Sequence, residues 1–115
     1  MSITIRRGQA EDEAALFGLA RQYQTGREAI SRDEFSVALD NVLRHRDQET
    51  NVLFVAEDDG KVVGYALMTV SRLLHAPGLT AHLQEIVVDD ESRGSGVGDR
   101  LMQANEHYRK LLDLR

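Results

Sequence analysis

The stretch Arg93-Gly94-Ser95-Gly96-Val97-Gly98 constrains the fold more than any other. It follows the apolar run Ile86-Val87-Val88 and opens a segment of helical periodicity, so it predicts the turn where a buried strand hands over to a helix. Three alternating glycines let the backbone approach an anion closely, and the helix N-terminus behind them offers unpaired N–H groups and a positive dipole end. That is the chemistry of a phosphate cradle. Its bland counterpart is a tight turn packing a helix against a sheet.

The chain before this turn alternates between the two periodicities. Ser2 to Arg7 places Ile3 and Ile5 at period two, a half-buried strand closed by Gly8. From Ala10 the apolar residues Leu16, Leu19, Ala20 and Tyr23 recur at helical spacing behind acidic Glu11, Asp12 and Glu13, predicting a helix that ends near Thr25-Gly26. A second helix starts at Ser31, with Glu34 completing a capping box; its apolar face is Phe35, Ala38, Leu39, Val42 and Leu43, and Arg44-His45-Arg46 suits its C-terminal end. Val52 to Ala56 is too continuous for a one-sided strand and is expected to be buried on both faces. Asp59-Gly60 predicts a tight hairpin turn, and Lys61 to Val70 returns as the antiparallel partner. Gly64 within that partner marks a bulge or a close approach by another backbone.

Leu73 to Thr80, holding Pro77 and Gly78, reads as a loop, and a third strand runs from Ala81 to Val88. After the glycine turn comes a helix with the stripe Val97, Leu101, Ala104, Tyr108 and Leu111. The expectation is an α/β (α+β) chain of order β-α-α-β-β-β-α, forming a single domain over residues 1–115.

Composition narrows the partners. A net charge of −5 argues against a nucleic-acid surface and favours a cationic partner. The chain has no cysteine, so disulfide and thiolate chemistry are excluded. The N-terminal residues lack the apolar core of a signal peptide and no run is long enough to span a bilayer, so a soluble cytoplasmic protein with no membrane partner is expected. No histidine pair or triad has metal-ligand spacing.

The glycine turn fits neither common nucleotide motif. A dinucleotide fingerprint needs a glycine where Asp99 stands, and a Walker loop needs Lys-Ser or Lys-Thr where Asp99-Arg100 stands. What remains is Arg-x-x-Gly-x-Gly behind a strand ending Glu-Ile-Val-Val-Asp and followed by Leu101-Met102. On these residues, the element order, the Asp59-Gly60 hairpin and Val62-Val63-Gly64-Tyr65, the chain resembles the GNAT superfamily of acetyl-CoA-dependent N-acetyltransferases. The resemblance implies a mixed, mostly antiparallel sheet with flanking helices.

It also implies roles. Backbone N–H groups from Arg93, Gly94, Ser95, Gly96, Val97 and Gly98 would cradle the pyrophosphate of acetyl-CoA, with Arg93 or Arg100 adding charge or standing solvated. Ile86, Val87 and Val88 would pair with the pantetheine arm as a strand pairs, and one of their N–H groups would polarise the thioester carbonyl. Acyl transfer to an amine needs a base. Glu85 matches the family's carboxylate on the motif strand; its other reading is a solvent-facing strand residue paired with an arginine. His82 has a suitable ordinary pKa but, by strict alternation, faces away from Glu85 unless a bulge intervenes. Tyr108 is a candidate acid for the leaving thiolate and, alternatively, a core residue of the helical stripe.

The family's fold continues with a further strand, helix and hairpin, which this sequence lacks after Arg115. An exposed edge on the third strand is therefore expected, covered either by Leu111-Leu112-Asp113-Leu114 folding back or by a second copy in a homodimer. Two functions follow: an N-acetyltransferase acting on a small-molecule or peptide amine in a ternary complex, or a non-catalytic relative binding coenzyme A or a protein partner.

Overall fold

The computed structural model describes residues 2–23, 29–44 and 51–112. Its elements are β1 (Ile3–Arg7), a 3-10 turn (Ala10–Asp12), α1 (Glu13–Tyr23), α2 (Arg32–Arg44), β2 (Asn51–Asp58), β3 (Lys61–Arg72), β4 (Leu79–Val88), a second 3-10 turn (Asp90–Ser92) and α3 (Val97–Leu112). This is the expected order. The four strands lie side by side as β1-β2-β3-β4, each pair antiparallel, so the sheet among the described residues is wholly antiparallel.

Helices cover both faces of the sheet. On one, Leu16 and Leu19 of α1 and Leu39 of α2 bury against Leu53, Val55, Tyr65 and Val87. On the other, Val97 and Leu101 of α3 pack on Ala56, Val63 and Ala66, while Tyr108 and Leu112 pack on Val52, Met68 and Val70. Strand β2 is sandwiched between these layers, which is why Val52, Leu53, Val55 and Ala56 are all buried and its sequence shows no polar alternation.

The first helix begins differently from its periodicity. Ala10 to Asp12 form a 3-10 turn because the Asp12 carboxylate turns inward, accepting the Gln9 N–H at 2.8 Å and both terminal nitrogens of Arg6 at 2.8 and 2.7 Å. Arg6 also reaches Glu57 at 2.5 Å, tying β1, β2 and the start of α1 together. The Arg6 guanidinium holds the Asp12 carboxyl below the usual carboxylate range, against the opposing effect of burial. The Ser31–Glu34 capping box forms as expected, with the Glu34 N–H on Ser31 Oγ at 3.1 Å and the Ser31 N–H on Glu34 Oε1 at 3.0 Å. The expected end of the first helix at Thr25-Gly26 and the residues His45 and Arg46 lie outside the described residues.

Asp59 and Gly60 both take positive φ, 51° and 85°, the type I′ geometry that an Asp-Gly hairpin supplies. Gly64 combines both expected reasons. Val63 is an extra residue on β3, since Ala56 faces Gly64 while Glu57 faces Val62. A Cβ on Gly64 would also lie 3.0 Å from the Val87 carbonyl oxygen and from Val97 Cγ1. Strand β4 starts at Leu79, two residues before the expected Ala81, because Leu79 and Thr80 pair with Arg72 and Ser71; the loop is correspondingly shorter, 73–78.

Three expectations about the helical faces are corrected. Tyr23, at the end of α1, is 58% exposed, and Ala38 of α2 is exposed, because the two helices flank a hollow instead of closing over the sheet there. The buried stripe of α3 is Val97, Leu101, Asn105, Tyr108 and Leu112; Ala104 is half-buried and Leu111 is 45% exposed. Steps of three and four residues carry the face through Asn105 to Leu112, and the polar Asn105 disguised it. Leu111 and Leu112 are helical, so they do not fold back as a strand, and Asp113 and Leu114 lie outside the described residues.

Candidate functional site

The glycine turn sits where strand β4 passes over to α3. The Asp89 N–H bonds to the Val63 carbonyl at 2.8 Å, the Ser92 N–H to the Asp89 carbonyl at 2.9 Å, and the Ser95 N–H to the Ser92 carbonyl at 3.3 Å. Ser95 Oγ donates to the same Ser92 carbonyl. Gly94 and Gly96 adopt φ of 82° and 90°, and an added Cβ on either would meet no protein atom within 4 Å. Their requirement for glycine is therefore one of backbone conformation, with open space beyond it.

Helix α3 is first closed by the bond from the Arg100 N–H to the Gly96 carbonyl at 3.1 Å. The N–H groups of Val97, Gly98 and Asp99 consequently have no acceptor within the helix. Gly98 and Asp99 border a hollow of about 290 Å³ whose other walls are Val88, Ser92, Arg93, Gly94 and Gly96. The donor set, positive-φ glycines and orphan amides at the N-terminus of a 16-residue helix, fits a diphosphate. Arg93 is exposed and paired with Asp90 at 3.0 Å, so its charge is partly met within the turn.

A clamp from α1 fixes the turn, and nothing in the sequence signals it. Gln22 donates through Nε2 to Asp89 Oδ1 at 2.8 Å and accepts the Asp90 N–H on Oε1 at 2.9 Å. A single amide thereby ties the first helix to the exit of β4. An exposed glutamine on a helix has no distinguishing pattern.

The edge of β4 carries the next group of candidates. Asp89 bonds to Val63 and Val87 faces Tyr65, so in the alternating antiparallel ladder the backbone groups of Ile86 and Val88 turn away from β3. Among the described residues no strand lies on that side. Of the expected trio, Ile86 and Val88 present N–H and C=O groups to the open edge, while Val87 is used in the sheet and its side chain is buried beneath α1.

Glu85 lies one residue earlier, half-buried, on the face covered by α1 and α2. Its carboxylate Oε1 accepts the Tyr65 hydroxyl at 3.0 Å, so its hydrogen-bond partner is a phenol and not an arginine. Burial, and next the charge of Glu85, push the Tyr65 phenol well above its ordinary range, which keeps it a neutral donor. In the sequence Tyr65 is hidden as a functional residue, because a tyrosine inside an apolar strand reads as core. A buried hydroxyl nevertheless needs a partner, and that need is the signal that leads to Glu85.

Both residues line a cavity of about 420 Å³ between α1, α2 and the sheet, otherwise walled by apolar side chains such as Leu16, Phe35, Leu39 and Leu67. Gln24 to Arg27, which join α1 and α2 in the sequence, lie outside the described residues.

The bulge that would let His82 join Glu85 is present. Leu67 faces Glu85 whereas Met68 faces Leu83, which makes Gln84 the extra residue and brings Glu85 and His82 to the same face, opposite Leu67 and Thr69. The two are separated along the strand by roughly 7 Å, two residue steps of the partner. His82 is exposed, as is His75 in the 73–78 loop. Tyr108 is placed on the other side of the sheet, edge-on to Phe54 with ring centroids 6.3 Å apart, and is not brought together with Glu85. Among the described residues no group of three or more His, Asp or Glu side chains can hold a metal ion, and no helix is long and apolar enough to cross a membrane.

The sequence model of the acetyltransferase (GNAT) family matches residues 13–113. The chain belongs to this family. Its GNAT fold is shared by a GNAT family acetyltransferase from Staphylococcus aureus subsp. aureus USA300_TCH1516, with 21% identity, a TM-score of 0.80, and coverage of 97% of this chain and 81% of the other. Glucosamine-6-phosphate N-acetyltransferase from Arabidopsis thaliana aligns at 20% identity with a TM-score of 0.76 over 97% and 78% of the two chains. A ribosomal-protein-alanine N-acetyltransferase from Brucella melitensis biovar Abortus 2308 aligns at 15% identity with a TM-score of 0.77 over 97% and 74%. At these identities the likeness is one of fold. No curated protein matches the sequence significantly. The general chemistry of GNAT proteins is acetyl transfer, with acetyl-CoA as the usual donor.

Proposed function

We propose that this GNAT chain, as a single domain over residues 1–115, is an N-acetyltransferase in which an amine attacks acetyl-CoA directly in a ternary complex. The observation that carries the reading is a continuity of geometry. The open backbone edge at Ile86 and Val88 runs into a turn of positive-φ glycines and orphan helix amides, and a half-buried carboxylate stands one residue upstream beside a cavity.

When bound, acetyl-CoA supplies an activated acetyl thioester. The amides of Val97, Gly98 and Asp99, with the Gly94–Gly96 backbone, would hold its pyrophosphate, and the outward groups of Ile86 and Val88 would pair with the pantetheine arm and polarise the carbonyl. Glu85 would take a proton from the incoming ammonium, directly or through one water, with the Tyr65 hydroxyl orienting its carboxylate. The net change is an N–C bond formed and a C–S bond broken, one amine proton ending on the thiol.

Calorimetric titration with acetyl-CoA and thiol release with a panel of amines test this function. Saturable binding with amine-dependent thiol release supports it, and unchanged heat and melting temperature on adding acetyl-CoA overturn it.

We also propose a homodimer through the outer edge of β4, which pairs with no other strand among the described residues and where Leu83 is exposed and Leu79, Ile86 and Val88 are only partly buried. It would draw on the same edge groups as the pantetheine arm, so light scattering with and without coenzyme A should show the dimer weakened by the ligand. A monomer at micromolar concentration without ligand refutes it.

A further inference from the structure

Resting on the acetyl-transfer reading, we propose that the acceptor is a primary amine on a compact apolar body, an alkyl or arylalkyl amine, seated between α1, α2 and the sheet with its nitrogen at Glu85. The cavity of about 420 Å³ lies within the range that encloses small ligands, ~300–1,000 Å³. Its polarity is confined to one part of the lining. Leu16 and Ala20 of α1, Phe35 and Leu39 of α2, and Leu53 and Leu67 of the sheet present only carbon. Among the described residues, the polar side chains of the lining are Glu85, the Tyr65 phenol bonded to it, and Tyr23, which is largely exposed.

This distribution selects by what it leaves unpaired. An amino sugar or a peptide would bring hydroxyl or amide groups against carbon walls that return no hydrogen bond, and burying such groups without a partner is costly. A hydrocarbon body gains from leaving water on the same walls. A polyamine is disfavoured because, among the described residues, Glu85 is the sole acidic residue of the lining, which leaves a second ammonium without a counter-charge from them. Glu85 complements one ammonium, and it immediately precedes Ile86, whose backbone groups border the open edge. In the transfer an N–C bond to the acetyl carbon replaces its C–S bond. The ammonium gives up one proton to Glu85 before attack and a second afterwards, which ends on the sulfur.

The test has two readouts. In thiol-release assays with acetyl-CoA, hexylamine and 2-phenylethylamine should show kcat/KM at least tenfold above glucosamine, trialanine and spermidine. A higher kcat/KM for any of those three overturns the acceptor class while leaving acetyl transfer standing. Without any donor, titration of 2-phenylethylamine should give saturable binding that weakens at least fivefold in Glu85→Gln, whereas neutral 2-phenylethanol binds both forms alike. Ala20→Trp, which fills the cavity, should abolish both, with the melting curve confirming that the chain is folded. Failure of 2-phenylethylamine to bind the folded wild-type chain at millimolar concentration overturns the pocket assignment. Binding of the amine with no binding of acetyl-CoA instead overturns the acetyl-transfer reading and keeps the pocket.

Discussion

The Tyr65 hydroxyl donates to Glu85 Oε1 at 3.0 Å, linking a buried residue of β3 to the half-buried carboxylate of β4 beside the cavity between the sheet, α1 and α2. The bond is diagonal: Tyr65 faces Val87 in the ladder, and Glu85 faces Leu67. It leaves the second carboxylate oxygen for another partner. Tyr65→Phe removes the donor and keeps the ring, so the fold should persist. If Glu85 is the base, kcat/KM for the amine should fall about five- to tenfold, the scale of one hydrogen bond to a charged group. Acetyl-CoA affinity, measured by calorimetry, should not change. Equal losses in both would place Tyr65 in the scaffold only.

Stability at low pH should report on Asp12. Its carboxyl is held below the ordinary range by Arg6, so its contribution is fully present above the unfolded-state pKa of about 3.9 and is lost as pH falls through the lower folded value. Asp12→Asn should cost roughly 2–3 kcal/mol at neutral pH by leaving Arg6 with one weaker partner fewer. The difference from wild type should shrink below about pH 4 as the wild-type carboxyl protonates. A gap in urea midpoints that stays constant from pH 7 to pH 3 would contradict this assignment.

The sequence carried the element order, the two-faced β2, the Ser31–Glu34 cap and the Asp59-Gly60 hairpin, because each rests on local chemistry: periodicity, a capping oxygen, a turn that demands positive φ. It did not carry the Gln22 clamp, since Gln22 and Asp89 are 67 residues apart and neither type is unusual where it stands. The bulge at Gln84 was legible only as a condition, and only the ladder shows that His82 and Glu85 share a face. Asn105 misled the helical stripe: it is 4% exposed, with no hydrogen-bond partner for either side-chain atom among the described residues, so a polar letter occupies a core position.

Gly64 couples the core to the glycine turn. A methyl group there would press on the Val87 carbonyl oxygen and on Val97 Cγ1, both at 3.0 Å, and on Leu101 Cδ1 at 3.2 Å. The carbonyl cannot move without disturbing β4, so the first turn of α3 must give way. Gly64→Ala should therefore destabilise by about 1–3 kcal/mol, the usual cost of overpacking. Because Val97 is the first residue of α3, acetyl-CoA affinity should weaken as well, even at temperatures where the chain remains folded. A variant with lowered melting temperature but unchanged affinity would mean that the turn is held independently, for instance by Gln22 alone.

Asp99 stands in the first turn of α3 and lines the hollow beside the orphan amides. Its charge suits the helix dipole but opposes any anion bound at the same amides. The two effects predict opposite outcomes for Asp99→Asn. Helix stability should drop by a few tenths of a kcal/mol, while affinity for coenzyme A should rise about two- to fivefold, because one exposed charge interaction is worth up to ~1 kcal/mol. The gain should be largest at low ionic strength and fade as salt shortens the screening length. Dephospho-coenzyme A, which keeps the pyrophosphate, should gain by a similar factor if the pyrophosphate is what sits at the turn. An unchanged or weakened affinity for both ligands at low salt would place the bound anion elsewhere.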